Sequence, residues 1–338
     1  MREISGTPLA TAVSAAKGLG FIAAGDDLTK LNEHLQEAQD LIATTKTLHQ
    51  YSKNVLPVGV GFLNWGAPLH EALAAIITFR PAAVWLFGPK HDATDLIPWV
   101  DEIRAQNGKA TRIWIQVGCV ADAIEAMNDI QPDVIVVQGA DGGGHGLNQS
   151  ASILTLLPET IDRFKEVLTG RFPNVNRPRF VAAGGIIDGR GIAAAHALGA
   201  EGCVMGSRFL ASMEANIAKG YQAEILRISD GGTNTVRSTI YDHARGGSNW
   251  PIKYAARGII NKTYEDYIAG KVTEQDNFLL YQDELAKGDR GWGPDGRMAT
   301  YAGTGVGLIK SVMPAGDIVR QVRGQARDIM NPISLARL

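Results

Sequence analysis

Residues 179–213, RFVAAGGIIDGRGIAAAHALGAEGCVMGSRFLASM, leave few folds open. A short apolar strand, Phe180 to Ala183, stops at Gly184 and Gly185. A helix over about 191–198 ends at Gly199, and a second strand over 202–205 runs into Gly206 and Ser207. Two strands joined by one helix in so short a span run parallel with a right-handed crossover, so both glycine turns open at the carboxyl edge of the sheet. Glycine at such a turn lets backbone N–H groups approach an anion with no Cβ in the way. Two such turns, each leading into a helix, form a phosphate cradle, which in a (β/α)8 barrel follows strands seven and eight. Alternatively, Gly184, Gly185 and Gly206 only tighten connections. Two turns in register, with the Ser207 hydroxyl added, favour the cradle.

The rest of the chain repeats the alternation. Continuous apolar runs fall at 19–24, 55–62, 82–87, 112–117, 133–138, 179–183 and 202–206. Helical periodicity separates them at 5–17, 27–51, 67–79, 92–106 (starting or kinking at Pro98), 121–129 and 153–168 (interrupted early by Pro158). Apolar strands alternating with amphipathic helices indicate a parallel sheet covered on its outside. Seven strands are one short of a closed barrel. The chain opens on a helix where a strand is expected, which leaves an unpaired edge beside the last strand. After Ser207 the alternation ends. Residues 212–300 read as a helical and loop-like lid, and 303–312 and 317–330 as closing helices. The division expected is therefore a barrel from 1–211 and 301–338 with a lid from 212–300.

A formal charge of -2 argues against nucleic acid or an anionic membrane as the main partner. The two cysteines, Cys119 and Cys203, are not spaced as a metal or redox pair and read as buried thiols. No long apolar span or basic-then-apolar leader is present, so a cytoplasmic location is expected.

Chemistry concentrates in the loop after the fifth strand, QGADGGGHG, 138–146. Gly143 and Gly144 let the backbone lie flat against a planar ligand, and His145 stands among glycines at the catalytic face, poised to move a proton near neutrality. A lone histidine is otherwise an ordinary exposed loop residue; its placement favours function. Asp141 either orients His145 or solvates the turn. Gln116 and Gln138, at strand ends, offer donor and acceptor together for a heterocycle edge, or are solvated ends. His243, in YDHARGG, belongs to the lid. GTGVG at 303–307 resembles a dinucleotide fingerprint only superficially, because no apolar strand precedes it.

These segments together resemble the nitronate monooxygenase family. The likeness rests on AAGGIIDGRGIAAAHALGAEGCVMGSRFL and QGADGGGHG, and extends to SGTPLATAVSAAKGLGFIAAG, PVGVGFL and AGTGVGLI, weakening in the lid. It implies FMN bound non-covalently at the barrel mouth. Gly184, Gly185, Gly206 and Ser207 would hold the phosphate, with Ala183 beside them. Gln116, Gln138, Gly143 and Gly144 would lie along the flavin and Gly61 beneath it. His145 falls on the family's catalytic histidine, the base that takes the proton from the carbon bearing the nitro group. Oxidation of an alkyl nitronate with O2 to a carbonyl compound and nitrite follows as the implied activity. Family members carry an apolar strand ending in a Pro-Met turn before the first helix. Here the chain starts at Met1, and an upstream extension is expected to restore that strand. An FMN-dependent NAD(P)H reductase acting on an enoyl thioester or quinone shares the scaffold and is the main alternative. A flavin-free, degenerate barrel serving as a binding protein is the third.

Overall fold

The structure, a computed structural model, describes residues 4–49, 54–170, 177–247 and 249–331. In chain order its strands are β1 (Phe21–Gly25), β2 (Leu56–Leu63), β3 (Pro81–Phe87), β4 (Arg112–Val117), β5 (Val134–Gln138), β6 (Gly144–Leu147), β7 (Arg179–Ala183), β8 (Gly202–Val204), β9 (Thr235–Ser238) and β10 (Tyr254–Ile259). Seven of them form one curled parallel sheet, in the order β1-β2-β3-β4-β5-β7-β8. The other three form an antiparallel sheet with β10 in the middle. All seven apolar runs read from the sequence are therefore strands of the parallel sheet, with ends shifted by at most two residues. Among the described residues the fold is a (β/α)8-type barrel short of one strand.

Alternation along each strand separates two faces. Ile22, Val58, Val60, Phe62, Ile113, Ile115, Ile135, Val137 and Phe180 pack outward against the helices. Phe21, Trp85, Trp114, Val134, Val136, Val181, Ala183 and Val204 form a second cluster inside the curl. The rings of Phe21, Trp85 and Trp114 meet at centroid distances of 5.1, 5.1 and 6.1 Å and make an aromatic floor. Gly59 is required by that floor, because a Cβ there would stand 2.3 Å from the Phe21 ring. One step along the same face of β2 is Gly61.

Among the described residues no strand pairs with the outer edges of β1 and β8. All three residues of β8 are partly exposed, as an unfilled neighbouring position requires. The edge of β1 is instead blunted by the chain before the first helix, an accepted way of managing an open edge. Ala23 N donates to Ser5 O at 2.8 Å and Ser5 Oγ to Phe21 O at 2.6 Å. Asn216 N in turn donates to Ile4 O at 3.0 Å.

Several helices depart from the sequence expectation. The helix expected over 27–51 runs only from Leu31 to Thr44, followed by a single turn at Lys46–His49. Asp27 uses its carboxylate to accept from Thr29 N, holding a turn where the helix was expected to start, and extended backbone at Thr45 ends it. The expected end at Tyr51 lies outside the described residues. Pro158 interrupts nothing: Ile153–Gly170 is one helix. The carbonyl left without its helical donor belongs to Leu154, in the exposed first turn of the helix. Residues 303–312 are no helix beyond the short 3-10 turn Thr304–Leu308, since their glycines press against other backbone. The lid holds helices such as Lys219–Arg227 and Glu274–Leu285, and beyond the helices and loops expected it supplies β9 and β10. Arg237 and Arg257 break the apolar run in each of these strands and hid them.

Candidate active site

Three of the sequence-derived candidates follow from strand alternation alone. Gln116 continues the inner face of Trp114, Gln138 that of Val134 and Val136, and Ala183 that of Val181. All three stand on the side of the aromatic floor that faces the carboxyl edge, while Gly61 on β2 pairs with Trp85 at the level of the floor itself. Gln116 is 8% exposed, and its amide has no hydrogen-bond partner among the described residues. An amide without a protein partner keeps its two donors and its acceptor available at the mouth of the sheet. Gln138 is committed instead: Nε2 donates to His145 O at 3.4 Å and its amide lies against Gly142 and Gly146.

Parallel pairing of β7 with β8 brings both glycine corners to one end of the sheet. Their glycines are there for different reasons. Gly184, at φ +101°, would place a Cβ 2.9 Å from Gly139 O, and Gly185, at φ +75°, 3.1 Å from Asp141 Cβ. This corner needs glycine to seat the 139–142 loop on it, so the tightening role is real. Gly206 has ordinary backbone angles and nothing within 4 Å of a Cβ, so space alone surrounds it. Ser207 Oγ accepts from Gly303 N at 2.9 Å, which leaves its own proton to donate.

The QGADGGGHG stretch is half loop and half strand. Gly143 faces away from the sheet, where a Cβ would meet Ala302 and Gly303 backbone at 2.4 Å. Gly144, at φ +71°, faces open space. Residues 144–147 are β6, paired with β10 through Ala256–His145 and Arg257–Gly144, because the lid offers an antiparallel partner. Two lid guanidiniums clamp this loop. Arg237 donates to the carbonyls of Gly144 (3.1 Å), Ala255 (2.6 Å), Ala140 (3.4 Å) and Gly142 (2.8 Å), and Arg257 Nε donates to Ala140 O at 3.2 Å. Burial, helped by the charge of Arg257, draws the Arg237 guanidinium down to about 10.

His145 is held from the lid. Its Nε2 lies 2.9 Å from Oδ2 of Asp242, with both side chains largely buried. Its ring stacks on Trp250 at 4.1 Å between centroids and 5° between planes. Tyr301 Oη donates to Asp242 Oδ1 at 3.2 Å, and Arg245 Nη1 donates to Tyr301 Oη at 3.3 Å. Burial, with the charge of Asp242, holds the Tyr301 phenol above its ordinary range, so it stays a neutral donor. Asp141 plays neither role read for it: its carboxylate accepts from Thr304 Oγ1 at 2.8 Å and ties the loop to the 302–308 segment. His243 faces Glu274 at 3.2 Å and stays out of the site.

Asp242, Trp250, Arg245 and Tyr301 are the residues sequence reasoning missed. Asp242 stands beside His243 in the YDHARGG cluster, and Trp250 ends the same stretch, so density of chemical groups was the available signal. Tyr301 immediately precedes the AGTGVGLI segment, whose glycines allow backbone-on-backbone packing. Among the described residues no group of acids, cysteines and histidines is arranged to hold a metal, and no helix is long and apolar enough to cross a membrane.

In solved structures the chain is similar to FabK from Thermotoga maritima, at TM-score 0.70 and 22% identity over 100% of this chain and 93% of that one. It is also similar to nitroalkane oxidase from Streptomyces ansochromogenes, at TM-score 0.67 and 20% identity over 96% and 93%. Both likenesses concern the fold. In sequence it is 44% identical to nitronate monooxygenase npaC of Metarhizium robertsii, covering 98% of this chain and 91% of the relative. Identity to a nitronate monooxygenase of Neurospora crassa is 35%, covering 98% and 89%. The family model described as nitronate monooxygenase matches residues 77–324, well over half of the chain. The chain belongs to the nitronate monooxygenase family.

Proposed function

We propose that the protein is an FMN-dependent nitronate monooxygenase, oxidising alkyl nitronates with O2 to a carbonyl compound and nitrite. The observation that carries this reading is the imidazole of His145, fixed by a buried carboxylate at the same sheet edge as the two glycine corners. Near-full-length similarity to two proteins named for that activity supports it.

The residues present fit FMN. The unpartnered Gln116 amide, the small inner-face residues Gly61 and Ala183 and the open face of Gly144 suit a planar heterocycle over the aromatic floor. The open Gly206 corner and the free proton of Ser207 suit a phosphate, with Gly184 and Gly185 presenting backbone beside them. When bound, FMN supplies the two-electron redox chemistry and the reaction with O2. The protein's own share is to orient the substrate against Trp250 and Tyr301 and to move its proton. His145 takes the proton from the carbon bearing the nitro group when a neutral nitroalkane is presented.

An absorbance spectrum of the purified protein, then anaerobic titration with ethylnitronate and with NADH, tests the assignment. A flavin spectrum bleached by ethylnitronate is expected. Rapid bleaching by NADH alone points to a reductase, and a colourless protein that takes up no FMN to a binding role. Replacing His145→Ala lowers turnover of nitroethane by about 10²–10⁴-fold, as expected for a lost general base, with a smaller effect on ethylnitronate. Equal losses on both substrates exclude His145 as that base.

A further inference from the structure

We propose that Asp242 is a positioning residue that fixes His145 as its Nε2–H tautomer, so that Nδ1 is the atom that takes the substrate proton. This rests on the reading of His145 as the base and goes beyond it by naming the reacting nitrogen and the residue that selects it.

The geometry leaves one nitrogen free. Nε2 of His145 is engaged by Asp242 at 2.9 Å, whereas Nδ1 has no hydrogen-bond partner among the described residues. An ionised carboxylate only accepts, so the proton between the two groups sits on Nε2 and the lone pair on Nδ1. The parallel stack on Trp250 keeps the ring from turning away. On the far side of the carboxylate, Arg245 donates to Tyr301 Oη, which directs the tyrosine proton onto Asp242 Oδ1. The charged and titratable groups around the imidazole are therefore Asp242 and Arg245 from the lid and Tyr301 just beyond it, with Arg237 and Arg257 behind the glycine loop that carries it.

The proton step balances on these atoms. The C–H proton moves to Nδ1, and the electron pair it leaves delocalises into the nitro group as the nitronate. The imidazolium formed then faces a carboxylate already in place, so charge that appears during the step is met without rearrangement. A preformed nitronate has no such proton to give and does not use this step. The base stands on β6 and its partner on the helix Ile240–Ala244, so two segments far apart in the chain supply the acid–base pair.

Asp242→Asn in the flavin-loaded protein is the test. Tyr301 donates toward one end of the side chain, so the introduced amide turns its oxygen there and its NH2 toward Nε2. That forces the imidazole proton onto Nδ1 and blocks the base. The expected loss in kcat/KM for nitroethane is about 10³-fold, with a change of roughly threefold or less for ethylnitronate. Nitrogen-15 NMR of the His145 ring reads the tautomer independently of turnover: protonated Nε2 and bare Nδ1 in the unmodified protein, the reverse in Asp242→Asn. Combining Asp242→Asn with Tyr301→Phe lets the amide flip, recovering part of the nitroethane activity and the Nε2–H signal. Undiminished nitroethane turnover in Asp242→Asn, equal loss on both substrates, or a bare Nε2 in the unmodified protein overturns the proposal. If the unmodified protein oxidises neither substrate, the functional reading fails instead, while the NMR still decides the tautomer.

Discussion

The parallel sheet and the lid hold themselves together by different means. The sheet is secured by apolar burial on both faces: Phe62, Phe180, Ile22, Leu86, Ile113 and Ile115 are all essentially inaccessible to water. Each such side chain stabilises the fold by about 1.5–3 kcal/mol, and neighbours replace one another's contacts with little loss of geometry. The lid instead buries polar groups that must each be matched. Tyr221 Oη bonds both Tyr301 O and Tyr301 N, Tyr241 Oη donates to Ile259 O, Asn261 Nδ2 to Met298 O, and Arg297 pairs with Asp266. Seven of the eight tyrosines lie between residues 221 and 301, so this contrast is written into composition. Apolar packing tolerates small displacements, whereas hydrogen bonds do not. The lesson is that the barrel supplies a place and the lid supplies the exact orientation of His145.

Alkali separates the two regions most strongly. Burial, foremost, holds the phenols of Tyr221, Tyr241, Tyr254, Tyr281 and Tyr301 above the ordinary value of 10.0. A raised phenol keeps its proton in the folded state while the unfolded chain releases it, so stability is complete below pH ~10 and falls above it. The slope is about 1.4 kcal/mol per pH unit for each phenol. Phenolate absorbance followed beside circular dichroism is expected to show one late, cooperative step as the lid opens. Gradual ionisation near the ordinary value with structure intact would break the contrast.

A pair of single substitutions sharpens it. Arg237→Met strips the donors from four carbonyls around the glycine loop and is expected to cost about 3 kcal/mol. Ile113→Val in the sheet is expected to cost only ~1 kcal/mol. Urea denaturation measures both, and the opposite ranking would refute the idea that polar clamping matters more at the lid.

The smallest effect on stability belongs to the two glycine corners. Gly206→Asp enters open space and is expected to change stability by less than about 0.5 kcal/mol, while weakening flavin binding at least about tenfold through charge at the phosphate end. Gly184→Asp combines a positive φ with collision against the 139–142 loop and lowers stability as well. Flavin affinity unchanged in Gly206→Asp removes the phosphate cradle without touching the fold.

Much of this was legible from the chain. Every strand of the parallel sheet was visible because a strand buried on both faces is a continuous apolar run, and parallel order follows from the helices between. Gly184, Gly185, Gly206, Ser207 and His145 were read as candidates because strand ends of such a sheet share one edge. β6, β9 and β10 were not, since each carries glycine or arginine where a buried strand carries valine. Asp242 lies 97 positions from His145, and no local spacing links them.

Local sequence thus determined the strands of the parallel sheet, the glycine turns between them and the edge at which those turns open, because those properties depend on a residue and its near neighbours. Only the tertiary structure decided that Gly143 faces the 302–303 backbone, that Asp141 serves Thr304, and that the carboxylate of Asp242 meets Nε2 of His145. Those are pairings between side chains and backbone brought together by folding, and their strength depends on angles and burial that no one-dimensional pattern encodes.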